Sequence, residues 1–174
     1  SVTITGTVAQ VNALLNSNAT STVSYVDSTD TPSATSTLTL TVHDNGNTGT
    51  GGDLVSTATS TINITAVNDA PVATITSASY SNTEQVALNL KNNGLSISDA
   101  DAGSGSMTVT LAVTEGTLSV TAGTSGASVS GSGSSSVTIT GTVAQVNALL
   151  NSNATSSVSY VDSTDTPSAT STLT

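Results

Sequence analysis

Residues 1–39 recur almost unchanged as residues 136–174. The copies lie 135 positions apart and agree at 38 of 39, Thr22 standing where the second copy has Ser157. Solenoid repeats run at about 20–45 residues, whereas this period is the size of a whole domain. Each repeat is therefore expected to build its own core. The 174 residues cut across that period. The best boundary is AVNDAPV, residues 66–72, where a strand-like run ends and Pro71 cannot donate to a ladder. On this reading 1–70 is the C-terminal half of one repeat and 71–174 the N-terminal three quarters of the next. The part that 71–174 lacks corresponds to residues 40–70.

Ser and Thr make up 66 of the 174 residues, a bias that can mark a disordered stalk. Against that, 35% of residues are hydrophobic, and only three are proline. The apolar residues are mainly Val, Ile, Leu and Ala, many alternating with Thr, whose β-branched side chain suits a pleated surface. Period-2 alternation predicts strands over Val72–Ser77, Gln85–Leu90, Leu95–Ile97, Ser106–Thr114, Thr117–Thr121, Ser136–Thr140 and Ser157–Tyr160. In the earlier copy it predicts Ser36–His43 and Leu54–Val67, joined by a hairpin-like Asp44–Asp53. Ala122–Ser135 reads as a loop or a weak edge strand. One helix is expected, over Gly141–Asn151. Thr142 and Gln145 have capping-box spacing, and Val143, Val146, Leu149 and Leu150 share a face. Thr7, Gln10, Val8, Val11, Leu14 and Leu15 repeat it. The sum is an all-β chain of tandem immunoglobulin/cadherin-like Greek-key β-sandwich repeats, about seven strands each, with one short helix per repeat. Only three Tyr and no Phe or Trp are available for burial, which predicts modest stability per repeat.

Composition excludes several functions. A single basic residue, Lys91, makes no footprint for nucleic acid or an anionic membrane. No apolar run approaches the roughly 18–20 residues of a spanning helix, so membrane insertion is not expected. No charged segment precedes an apolar run at residue 1, so no leader is expected within these residues. The absence of cysteine removes disulfides, thiol chemistry and Cys-type zinc sites. His43 beside Asp44 lacks an accompanying nucleophile pattern and reads as an exposed strand-end histidine. Glu84 and Glu115 could form a glycosidase pair, but no aromatic platform for sugar accompanies them. No enzyme activity is expected. Lys91 reads as a solvated charge, with an isopeptide crosslink as the sharper alternative. Tyr25 and Tyr160 read as core residues or corner hydrogen-bond donors.

The nine Asp and two Glu fall between predicted strands. In a sandwich whose strands alternate direction, Asp27 and Asp30 approach the exit linker holding Asn68 and Asp69. Asp99 and Asp101 face the same linker from the next repeat, and Glu84 serves the following junction beside Asp162 and Asp165. Converging carboxylates repel unless a cation joins them. Ca²⁺ takes 6–8 oxygen ligands in forgiving geometry, and a net charge of −10 with one Lys leaves these acids without protein counter-charges. Bland readings stand beside this one. Asp and Asn in loops commonly bond their own turns, and Asp44-Asn45-Gly46 reads as a hairpin turn. Gly49–Asp53 matches a calcium-binding nonapeptide only faintly, and the sequons at Asn18, Asn63 and Asn153 come cheaply in a Thr-rich chain.

As a set, these segments resemble the tandem cadherin-like or immunoglobulin-like repeats of very large secreted bacterial surface adhesins. AVNDAPV looks like their inter-domain linker and Asp99-Ala100-Asp101 like their Asp-x-Asp calcium motif. Glu84, Ser98–Gly103, Gly141–Leu150 and Asp44–Gly52 supply the remaining elements. Ala66 and Val67 stand where the vertebrate cadherin linker carries a further acidic residue. The resemblance implies export, often by type I secretion, to the cell surface. It implies a non-enzymatic extender role, with neighbouring repeats as partners and Ca²⁺ at the junctions on Asn68, Asp69, Asp99, Asp101, Asp27, Asp30 and Glu84. Two other functions fit the same residues. Flat Thr arrays such as Thr37–Thr41 could bind glycan or ice. Weakly protected edges could let strands pass between chains and build a self-associating fibre.

Overall fold

The computed structural model describes residues 1–47 and 49–174. Thr48, within the expected hairpin Asp44–Asp53, lies outside the described residues. The chain divides into two compact units, Ser1–Thr65 and Ala66–Thr174. Both are built mainly from small antiparallel sheets, as the alternation predicts.

The first unit holds helix α1 (Val8–Asn12), which continues as one π-helical turn over Ala13–Ser17. Strands β1 (Thr35–His43) and β2 (Val55–Asn63) form a two-stranded antiparallel hairpin. Asn45 and Gly46 both take positive φ at its loop, the conformation for which Asn-Gly is favoured. Leu38, Leu40 and Val42 alternate with Thr37, Thr39 and Thr41, so one face of β1 is aliphatic and the other hydroxylated. No described residue of this unit is buried.

The second unit carries β3 (Val72–Ile75), β4 (Leu88–Asn89), β5 (Leu95–Ser98), β6 (Met107–Ala112), β7 (Thr117–Thr121), β8 (Ser128–Ser130) and β9 (Ser136–Gly141). Helix α2 (Val143–Asn147), a π-helical turn over Ala148–Ser152, and β10 (Ser157–Val161) follow. Three sheets form, ordered β4-β10-β7, β3-β5 and β6-β9-β8. Their inward residues converge on one aliphatic core around Leu90, Leu118, Val137, Ile139, Leu149 and Val158, each at most 1% exposed. Tyr80 and Tyr160 pack against its edge.

The expected strands are present with shifted limits. Gln85–Leu90 contracts to Leu88–Asn89 because the chain turns at Gln85, which takes φ 64°. The weak-edge reading of Ala122–Ser135 corresponds to the three-residue β8. The helix keeps its capping box, Thr142 accepting from the Gln145 N–H while Gln145 accepts from the Thr142 N–H. Val146, Leu149 and Leu150 are buried as the one-face pattern requires.

Candidate functional site

The acidic residues of the second unit fall into two groups. In the first, Asp99 bends its own loop. One carboxylate oxygen accepts the N–H groups of Asp101 and Ala102 at 3.1 and 2.8 Å. The turn aims Asp101 back at the linker, where its carboxylate accepts the Asp69 N–H at 3.0 Å. Asn68 donates from its amide to the Asp69 carbonyl at 3.1 Å. Asn68, Asp69, Asp99 and Asp101 are thus drawn to one end of the unit, across 32 positions of sequence. Among the described residues, no three His, Asp or Glu side chains form a group that could hold a metal. The donors gathered here are carboxylate, amide and main-chain oxygens, the hard-oxygen type that suits Ca²⁺ rather than zinc or copper.

In the second group, Asp162 is 6% exposed. One of its oxygens accepts the Thr164 N–H and hydroxyl at 3.0 and 2.8 Å; the other accepts the Tyr160 hydroxyl at 3.5 Å. These bonds, the Thr164 N–H foremost, hold its carboxyl below the usual range against the opposing effect of burial. Gln85 completes the group. Its N–H donates to the Asp162 carbonyl at 2.6 Å and its amide to the Asp165 carboxylate at 3.0 Å. Glu84 and Asp162 line one cleft. Sequence reading missed Gln85, whose signal is a left-handed backbone and not a residue type.

Asp27 repeats the Asp162 pattern in the first unit. Its oxygens take the Thr29 hydroxyl and N–H at 2.6 and 3.0 Å and the Tyr25 hydroxyl at 3.3 Å. The Thr29 hydroxyl and N–H lead in lowering its pKa. Asp30 stands three residues on in the same unit. Tyr25 makes the corner hydrogen bond but not the core contact, being 52% exposed. Tyr160, packed against the core, does both.

The remaining polar residues are mostly bonded within their own turns. Asp44 accepts the N–H groups of Gly46 and Leu54, and Asp53 accepts the Asn45 N–H. His43, exposed at the strand end, meets the Asp53 carboxylate at 2.7 Å. Glu115 accepts the Ser168 N–H. Lys91 is no solvated charge. Its ammonium donates to the carbonyls of Asn153 and, at 3.1 Å, Ser156.

No helix is long and apolar enough to cross a membrane among the described residues. Comparison with known proteins finds no matching family model, no matching curated protein and no matching solved structure.

Proposed function

We propose that this chain is a slice of a tandem array of immunoglobulin/cadherin-like sandwich repeats. It acts as a non-enzymatic extender of a bacterial cell-surface adhesin, stiffened by Ca²⁺ at the junctions between repeats. The observation that carries this reading is the reach of Asp101 to the main chain of Asp69. It joins the SDADAG loop to the NDAP linker, the two segments through which the chain resembles adhesin repeats. The near identity of the copies supports interchangeable structural units. Asn68, Asp69, Asp99 and Asp101 would hold the ion, their remaining oxygens completed by main-chain carbonyls and water. Bound Ca²⁺ would supply the positive charge that a chain with one lysine lacks. Asp27 and Asp162 bond within their own turns and serve mainly as turn locks.

Ion binding to the native state raises stability by mass action. Melting is measured in EDTA, in Mg²⁺ and in Ca²⁺ at matched ionic strength. The expected result is a Ca²⁺-specific rise that Asp101→Asn abolishes. An unchanged melting curve after chelation refutes the calcium role. Equal rises in Mg²⁺ and Ca²⁺ would reduce it to charge screening.

A further inference from the structure

We infer that the outer edge of β6 is a strand-acceptor site, and that its occupant is the β1–β2 hairpin of a second copy of this chain. β6 ends its sheet, with β9 on one side only. The Val113 N–H bonds toward β9, to Ser135, so the odd positions of this strand face inward along the ladder. Ala112 and Thr114 bond the other way, Ala112 exchanging both its bonds with Thr174 and Thr114 donating to the Thr172 carbonyl. By alternation, the main-chain groups of Thr108 and Thr110 point to the same outer edge, and both residues are exposed.

The segment that starts this pairing is Thr170–Thr174, whose sequence is identical to Thr35–Thr39. Leu173, facing Val113, corresponds to Leu38, and Thr174, facing Ala112, to Thr39. In the first unit that sequence runs on as β1 to His43. β1 also has a free edge, and it is the matching one. The Asp44 N–H bonds to Leu54 and the Ala34 carbonyl accepts from Ile64, so even positions serve β2. The odd positions, Thr37, Thr39, Thr41 and His43, point away from β2. Pairing with β6 through the odd positions therefore breaks no bond of the hairpin.

Carrying the Leu173–Val113 register onward places Leu40 opposite Leu111, Thr41 opposite Thr110, Val42 opposite Val109 and His43 opposite Thr108. Aliphatic side chains meet aliphatic ones on the core side, and hydroxyls fall outside. A slip of one residue would reverse this. Leu40 and Val42 are 51% and 54% exposed in the first unit, while Leu111 is a core residue. Val113 and Leu173 also border a cleft of about 460 Å³ whose floor includes Leu88, Leu90 and Tyr160. A hairpin added at this edge lays its aliphatic face over that cleft.

The incoming strand reproduces the Thr170–Thr174 contacts residue for residue and adds the pairs beyond them. Exchange of identical elements is a low-cost route to association. Because donor and acceptor are different surfaces, the contact is head-to-tail and builds rings or filaments rather than one dimer. Asn68, Asp69, Asp99 and Asp101 take no part, so the inference stands apart from the calcium reading.

Sedimentation velocity on the full chain in EDTA tests it, using two variants. Leu40→Asp spoils the donor face at an exposed residue. Thr110→Pro removes an N–H that serves only the outer edge, leaving the β6–β9 ladder intact. The wild type is expected to show a ladder of species that grows with concentration. Each variant alone is expected to lose association at least tenfold. An equimolar mixture should give a one-to-one complex and nothing larger, since the proline variant still donates and the aspartate variant still accepts. A wild type monomeric at every concentration overturns the inference. So do variants that associate like the wild type, or a mixture that remains monomeric.

Discussion

Lys91 is the only Lys or Arg in the chain, and its ammonium is committed to two carbonyls where the helical segment of the second unit ends. Those carbonyls lie at the negative end of the helix dipole, where a cation is favoured. The first-unit helix has the same sequence and no lysine to meet it. Replacing Lys91 with Met keeps the aliphatic stem and removes the charge. The expected loss is about 1–2 kcal/mol, read as a lower urea midpoint at unchanged slope. Asp162 acts at the same scale but through pH. Its folded-state pKa is depressed, so its contribution is present above the unfolded carboxyl value of about 3.9 and fades as pH falls through the lower folded value. The stability gap between wild type and Asp162→Asn should therefore be level from roughly pH 5 to 7 and close below about pH 4. A gap that stays constant to pH 2 would assign Asp162 a steric role only. Neither residue was legible in advance. A lysine in an alternating strand carries no sign that a helix end waits for it, and Asp-x-Thr spells both a turn lock and a possible ligand.

The duplicated segment shows which elements the sequence encodes locally and which it does not. In both copies a Thr–Gln capping box opens the helix, with N-cap angles of −66° and 158° in one and −66° and 161° in the other. Ser21 and Ser156 both donate to the carbonyl seven residues back, and Asp27 and Asp162 lock the same turn. These features depend on neighbours within a few positions and were readable from the residues. Strands differ. Ser136–Gly141 and Ser157–Val161 are β9 and β10, whereas the identical run 1–6 and the near-identical 22–26 form no strand. Their partners β4, β6, β7 and β8 all come from residues 88–130, which only the second copy has beside it. Alternation therefore states a capacity for pairing, and tertiary context decides whether it is used. Hydrogen exchange measures the contrast directly. Amides of 136–161 should be protected to near the global stability, and those of 1–26 should exchange close to intrinsic rates. The Thr22/Ser157 difference lets mass spectrometry tell the two copies apart. Equal protection in both copies would mean that the first has found strand partners of its own.

At the scale of the whole molecule, burial is confined to one unit. Every buried residue lies within Ala66–Thr174, and the first unit exposes Leu38, Leu40, Val42 and Val55 at half their surface or more. Hydrophobic burial is the main favourable term in folding, so cooperative unfolding should come from the second unit alone. Calorimetry gives this a number. Unfolding enthalpies run near 0.7 kcal/mol per residue around 60 °C, so a transition limited to the second unit should absorb about 75 kcal/mol, against about 120 kcal/mol for the full chain. The dilute protein is expected to give the lower value in a single transition. The aliphatic face of β1–β2 then makes the concentration dependence informative. If the hairpin docks on β6 of another copy, raising the concentration recruits more residues into the cooperative unit. Both the enthalpy and the melting temperature should climb together. In the Leu40→Asp variant both should stay flat. A full-chain enthalpy at high dilution would instead mean that the first unit folds cooperatively within a single molecule, with its aliphatic strand face covered in cis.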